Sequence, residues 1–181
     1  MKIGIISDTH DKLPPIEIAM MVFRQHQVAA IIHCGDWTKP ATVEWFADQA
    51  GRAHLPAYGV IGNNDHGPLI RALNARLPNP ISFPAGEVLQ LELDGKRITA
   101  YHGHHKPTLA SLVNSRHYDI VLTGHSHKAS AQPADSTLVV NPGSTAFCIP
   151  RRKQDLSSVA IYDTRLHLAQ IIFLAEGAYH N

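Results

Sequence analysis

The sequence predicts an α/β protein made of two packed mixed β-sheets flanked by helices. Three observations carry that expectation. Short β-branched runs alternate with helix-length amphipathic stretches through the first half, the pattern of a mostly parallel sheet. In the second half, Asp94-Gly95 stands between two alternating runs and marks a hairpin. Five apolar runs end, beside glycine or another small residue, on carboxylate, amide or imidazole side chains. In parallel α/β sheets, ligands gather at the carboxyl ends of strands.

Taken in order, Met1 to Ser7 is a strand that runs into Asp8-Thr9-His10. Pro14-Pro15 can open a helix, because proline is tolerated in a first turn. Ile16, Ala19, Met20 and Phe23 then follow at helical spacing up to His26. Ala30 to Gly35 is a second strand ending at Asp36, and Thr38-Lys39-Pro40 starts a helix through Ala41 to Gln49. Tyr58 to Gly62 leads to Asn63-Asn64-Asp65, with a helix from about Pro68 to Arg76. Glu87 to Leu93 sets Val88, Gln90 and Glu92 against Leu89, Leu91 and Leu93, and its hairpin partner, Lys96 to Tyr101, ends at His102-Gly103-His104. A helix from Thr108 to Ser115 leads to the strand Asp119 to Leu122 and then to Gly124-His125-Ser126-His127. Short strands near Leu138 to Asn141, Val159 to Asp163 and His167 to Phe173 follow. No internal repeat, long linker or low-complexity tract interrupts the chain, so residues 1–181 read as a single domain.

Composition agrees and narrows the function. At 181 residues, 44% hydrophobic and 17% charged, the chain suits one domain with a substantial core. A net charge of +1 gives no strong field for nucleic acid or an anionic membrane. Apolar stretches are strand-sized, and no signal peptide of the usual kind precedes the first strand. Cys34 and Cys148 make no disulfide framework and read as reduced thiols in a cytoplasmic protein. No Walker A, GxGxxG or GxSxG motif is present. Lys106, Arg116, Lys128, Arg151 and Arg152 are phosphate-binding candidates, though surface cations are more often solvated, and Arg151-Arg152-Lys153 is expected in an exposed loop.

Thirteen histidines mean little as a count. His26, His54, His117, His167 and His180 lie away from the glycine-marked tips and read as surface or capping residues, whereas His33, His66, His104 and His105 sit beside candidate ligands. Individually, Asp8 could cap a turn, Asn63-Asn64-Asp65 could be ordinary turn chemistry, and Gly103 and Gly124 could serve positive φ. Jointly those readings fail, because nothing structural requires carboxylate, amide and imidazole at all these tips.

Asp8-Thr9-His10, Gly35-Asp36, Gly62-Asn63-Asn64-Asp65, His102-Gly103-His104 and Gly124-His125-Ser126-His127 occur in the order found in calcineurin-like metallophosphoesterases. With Asn141-Pro142-Gly143-Ser144 after them and the small size of the chain, the sequence resembles the small YfcE/Vps29-like phosphodiesterase family. The resemblance implies a four-layer metallophosphoesterase sandwich. It also implies a dinuclear centre in which Asp8, His10, Asp36 and His127 hold one ion, and Asp36, Asn63, His102 and His125 hold the other. The cofactors would be two divalent transition-metal ions, manganese foremost, with iron, nickel, cobalt or zinc as alternatives; such a donor set suits these better than calcium or magnesium. A bridging carboxylate can hold two ions about 3.5–4 Å apart, where a bridging hydroxide attacks phosphorus.

The expected activity is hydrolysis of phosphodiesters, with a small phosphorylated substrate as partner, no membrane and homo-oligomerisation left open. His104 is a candidate for contact with the substrate, and Asp65 for orienting a neighbour of the metals. Asn64 stands where many larger relatives carry an acid histidine, and an amide cannot protonate a leaving group. The rival readings are a non-catalytic Vps29-like metal-binding scaffold and a nuclease, the latter disfavoured by size and charge.

Overall fold

The computed structural model describes residues 1–146 and 156–174. Along the chain these form β1 (Lys2–Ile6), α1 (Leu13–Gln25), β2 (Ala30–His33), α2 (Pro40–Arg52), β3 (Ala57–Gly59), α3 (Gly67–Asn74) and β4 (Leu89–Leu93). There follow β5 (Lys96–Ala100), α4 (Lys106–Asn114), β6 (Ile120–Leu122), β7 (Ser130–Ala134), β8 (Thr137–Asn141), β9 (Ser158–Asp163) and β10 (Leu168–Phe173). Each helix carries proline in its first turn, where the missing N–H costs nothing.

The strands make two five-stranded mixed sheets, ordered β10-β9-β1-β2-β3 and β4-β5-β6-β8-β7. In the first sheet β1, β2 and β3 are parallel, and β9 and β10 run antiparallel beside them. In the second, β5, β6 and β8 are parallel, with β4 and β7 antiparallel at the edges. Side-chain alternation sorts the core into layers. Ile3, Ile5, Ile32 and Val60 meet Leu89, Ile98, Ala100, Ile120, Leu122 and Val140 between the sheets. On the other face of the first sheet, Ile6, Ile31, Val159 and Ile161 pack with Ile16, Phe23, Val43, Phe46 and Ile70 from α1, α2 and α3. Gly4 lets α1 approach, since a Cβ there would press into the Phe23 ring at 2.8 Å. Truncating Ile5 or Ile32 to alanine in such a core costs about 2–5 kcal/mol.

Register then places the functional loops. Ile6 pairs with His33 and His33 with Gly59, so β1, β2 and β3 end level. Ala100 pairs with Leu122 and Leu122 with Val140, so β5, β6 and β8 end level too. The loops beyond these ends meet where the two sheets adjoin.

Most elements fall within a turn of where the sequence places them, and two differences have clear causes. β7 was not expected: Ser130-Ala131-Gln132-Pro133-Ala134 has no β-branched residue, and Pro133 is tolerated because β7 is an edge strand paired to β8 alone. β3 stops at Gly59, short of Gly62, because Val60 gives its carbonyl to the Trp37 indole N–H (2.9 Å). Cys148 and the Arg151-Arg152-Lys153 cluster lie outside the described residues. Among the described residues, no helix is long and apolar enough to cross a membrane.

Candidate metal centre

The floor of the centre is Asp8, wholly buried after β1. Its Oδ2 accepts hydrogen bonds from the Ser7 hydroxyl (2.6 Å) and the His125 N–H (3.1 Å). Its Oδ1 accepts none although it is buried. That oxygen lies 3.1 Å from His127 Nε2 and 4.0 Å from His10 Nε2 without donor geometry, and the two imidazole nitrogens are 3.3 Å apart. An unpaired buried carboxylate oxygen facing two ring nitrogens is costly unless a proton or cation sits among them.

Asp36, 1% exposed, reaches toward both groups: Oδ2 is 3.8 Å from His10 Nε2 and Oδ1 is 3.3 Å from His102 Nε2. Burial pushes its carboxyl up, but the His102 ring, when it carries its second proton, and the hydrogen bonds from Asn64 outweigh this and hold it below the usual carboxylate range. Asn64 donates to both oxygens, through its backbone N–H (3.0 Å) and its side-chain amide (2.6 Å). Asp65 fixes the same turn from behind, accepting from the N–H groups of Asp36 (3.0 Å), Gly62 (2.7 Å) and Thr38 (2.7 Å). Burial nonetheless raises its carboxyl above its ordinary value, against the pull of those donors. Gly62 is required for space, because any Cβ would collide with the Asp36 carboxylate.

The imidazoles come chiefly from the second sheet. His102, fully buried after β5, donates from Nδ1 to the Cys34 carbonyl (2.8 Å). The neutral ring therefore turns the Nε2 lone pair toward Asn63 Oδ1 (3.1 Å) and Asp36 Oδ1. Burial lowers the pKa of His102, yet Asp36 and Asp8 prevail and raise it. Asp8 raises that of His127 as well. The His125 ring stands 5.3 Å from that of His102, and the His127 ring 5.3 Å from that of His10. Asn141 holds their loop, donating to Gly124 O (2.7 Å) and Ser126 Oγ (3.0 Å), while the Ser144 hydroxyl donates to Asp8 O (2.9 Å). The Asn141-to-Ser144 turn thus buttresses both walls. Gly124 has ordinary φ; its need is space, since a Cβ would strike the Ser7 hydroxyl.

Five of the seven expected ligands are non-glycine residues in left-handed backbone: Asp8 (φ 53°), His10 (42°), Asp36 (60°), His125 (63°) and His127 (58°). Each such residue costs about 1–3 kcal/mol and persists only where its surroundings over-determine it. Five of the thirteen such residues among the described residues thus fall on these seven positions.

His104 occupies the rim. Its Nδ1 is buried without a partner, and Nε2 lies 3.5 Å from Tyr101 Oη and 3.9 Å from Glu87 Oε2. Burial holds its pKa down, with His102 and His125 adding to the effect against Glu87. Glu87 carries no signature in the sequence; it is brought here by a loop that Arg71 clamps through Pro84 O (2.5 Å) and Gly86 O (3.0 Å). His66 caps α3, its Nδ1 accepting from Leu69 N (3.3 Å). Arg116 is paired with Asp135 (2.7 Å). Cys34 is no nucleophile, because burial pushes its thiol far up. A cavity of about 480 Å³ between α2 and Leu77-Pro78-Asn79 contains none of the ligating residues.

Carboxylate, amide and imidazole donors suit divalent transition metals. Two groups of them, Asp8–His10–His127 and Asp8–Asp36–His102, have ligand atoms within 4.8 Å of one another. The residues present fit a metal centre.

Comparison with known proteins agrees. The model of the calcineurin-like phosphoesterase superfamily domain matches residues 1–166. Phosphodiesterase MJ0936 of Methanocaldococcus jannaschii is 34% identical over 143 residues, covering 79% of this chain and 83% of that protein. Among solved structures, a novel archaeal phosphodiesterase superposes with a TM-score of 0.78 at 30% identity, covering 96% of this chain and all of that one. The fold is shared with the Escherichia coli phosphoesterase YfcE (TM-score 0.62, 19% identity, 97% and 100% covered). It is shared too with zinc-complexed Vps29 of Entamoeba histolytica (TM-score 0.64, 18% identity, 98% and 95% covered). From its ordered motifs, its two-sheet architecture and these likenesses, the chain belongs to the calcineurin-like phosphoesterase superfamily.

Proposed function

We propose that this phosphoesterase is a phosphodiesterase with a dinuclear metal centre, acting on a small phosphorylated substrate in the cytoplasm. One observation carries the reading: the buried, unpartnered Asp8 Oδ1 faces the Nε2 atoms of His10 and His127, while Asp36 extends an oxygen toward each side. Asp8, His10, Asp36 and His127 would hold one ion, and Asp36, Asn63, His102 and His125 the other, with manganese the first choice. Bound there, the ions supply Lewis acidity toward phosphoryl oxygens and lower the pKa of a nucleophilic water.

The protein's own groups do the rest. Asn64 and Asp65 keep the shared carboxylate in place, so the two sites keep a fixed spacing. The Cys34 carbonyl holds the His102 proton on Nδ1, leaving Nε2 free to ligate. Two carboxylates do not neutralise two divalent cations, so an anionic ester is still attracted. At the rim, His104 would face the substrate, with Glu87 beside it disfavouring a second negative charge.

The competing reading is a Vps29-like metal-binding scaffold. Removal of metal by chelation, followed by reloading with Mn²⁺ and assay on aryl diesters, aryl monoesters and single-stranded DNA, separates the two. The proposal expects metal-dependent turnover, greatest on diesters. A reloaded protein that binds metal and cleaves none of the three is a scaffold.

A further inference from the structure

His33, the last residue of β2, is fully buried and is not among the seven expected ligands. Its ring stacks on Trp37 (centroids 3.4 Å apart, 13° between planes) and meets the edge of Phe46 at 5.8 Å. Both nitrogens are used. The Gly35 N–H donates to Nδ1 (3.1 Å), which in the neutral ring places the proton on Nε2. Nε2 lies 3.1 Å from Thr9 Oγ1, and the Thr9 hydroxyl in turn points to the Asp36 carbonyl (3.4 Å). One side chain therefore ties the loop after β1 to the loop after β2.

Residues on either side of these hydrogen bonds are in left-handed backbone. Asp8 and His10 flank Thr9, Asp36 follows Gly35, and all three have positive φ. Two backbone hydrogen bonds run alongside, Asp8 N to Gly35 O (3.0 Å) and His10 N to Asp36 O (3.2 Å). Left-handed backbone at non-glycine residues needs over-determined surroundings. Here the backbone pair sets the spacing of the two loops, and the His33–Thr9 link fixes their rotation.

We infer that His33 is a positioning residue of the metal centre, holding Asp8, His10 and Asp36 in ligating geometry through Thr9. The inference rests on the metal centre proposed above. If His33 instead only fills core volume, its hydrogen bonds are incidental, and a ring of similar size would serve equally well.

Two substitutions separate these cases. His33→Phe keeps an aromatic ring on Trp37 and removes both hydrogen bonds. Thr9→Val leaves His33 untouched and removes the hydroxyl at nearly constant volume, and Thr9→Ser restores it. The readout is Mn²⁺ binding to the metal-stripped full chain by calorimetry, with bound metal counted by mass spectrometry and melting temperature recorded alongside. Thr9→Val and His33→Phe should bind Mn²⁺ about 10–100-fold more weakly, the range seen when a ligand's supporting partner is lost. The ion held by Asp8, His10 and His127 should be lost first, and Thr9→Ser should bind like the wild type. If His33→Phe does not fold, Thr9→Val against Thr9→Ser decides alone. Wild-type Mn²⁺ affinity in Thr9→Val, with only a lower melting temperature, overturns the inference and leaves the metal centre standing. A wild-type chain that binds no Mn²⁺ overturns both.

Discussion

The two sheets contribute unlike halves of the proposed centre. Loops after β1, β2 and β3 supply oxygen donors, Asp8, Asp36 and Asn63, with His10 the one imidazole. Loops after β5 and β6 supply imidazoles alone, His102, His125 and His127. Exposure cuts across this division: Asp8, Asp36 and His102 are at most 1% exposed, whereas Asn63 and the His127 side chain, the latter 42% exposed, reach the surface. The first sheet's carboxylates sit in a fixed net of N–H donors from His125, Asn64 and, through Asp65, the Asp36 turn itself. The second sheet's ligands depend on fewer props, chiefly the Cys34 carbonyl and Asn141. The contrast suggests a division of labour. In the proposed centre the carboxylates would fix position and charge, and the imidazoles would favour a transition metal.

The strongest way to break this picture is at the residue shared by both sites. Asp36→Asn removes negative charge from between two cations, so both sites should weaken. Activity should fall by more than the roughly 10–100-fold that follows loss of a ligand's supporting partner, with at least one ion missing by metal analysis. Full metal content with wild-type turnover would rule out a bridging Asp36.

The imidazole half should come apart one ion at a time. His127→Ala should deplete the ion shared with Asp8 and His10, and His125→Ala the ion shared with Asn63 and His102. Native mass spectrometry of the two variants, each with Asp8→Asn added, tests the pairing. Adding Asp8→Asn to His127→Ala should lose no further ion, whereas adding it to His125→Ala should leave none.

Acidification should act on the imidazole half as well. Asp8 and Asp36 raise the pKa values of His127 and His102, so in metal-free protein these rings keep a proton to higher pH than an ordinary histidine near 6.5. Metal must displace that proton. Apparent Mn²⁺ affinity should therefore be full above the raised values and fall as pH drops through them, by about tenfold per pH unit for each proton displaced. Titrations at several pH values between 5 and 8 check this, and a flat profile removes histidine from the ligand set.

A last test concerns the leaving group, where the change expected is in a slope and not in metal content. With Asn64 committed to Asp36, rates across substituted aryl diesters should depend steeply on leaving-group acidity, since general acid catalysis worth about 10²–10⁴-fold is missing. A shallow slope that steepens in His66→Ala or His104→Ala would assign the acid to that histidine.

Much of this was legible in the sequence because strand ends and side-chain chemistry are local properties. Asp8, Asp36, Asn63, His102, His125 and His127 each follow a β-branched or aliphatic run, and a parallel sheet converts that into proximity. Asp65 is singled out by its place in the same turn, where its carboxylate accepts the N–H groups of Asp36, Gly62 and Thr38. What stayed hidden depends on packing between distant segments. The sequence marks His33 only as a neighbour of candidate ligands; that it stacks on Trp37 and reaches Thr9 in the loop after β1 depends on packing. Glu87 meets His104 only because Arg71 clamps the intervening loop. Gly124 looked like a positive-φ residue and is instead a point of close approach, a distinction that needs Ser7 in view. β7 escaped because an edge strand with Pro133 has no strand pattern to read.

Anomalous scattering from crystals grown with Mn²⁺ tests the dinuclear centre most directly. The result expected is two peaks flanking the Asp36 carboxylate, one contacted by Asp8, His10 and His127, the other by Asn63, His102 and His125. A single peak, or two that do not share Asp36, would contradict it.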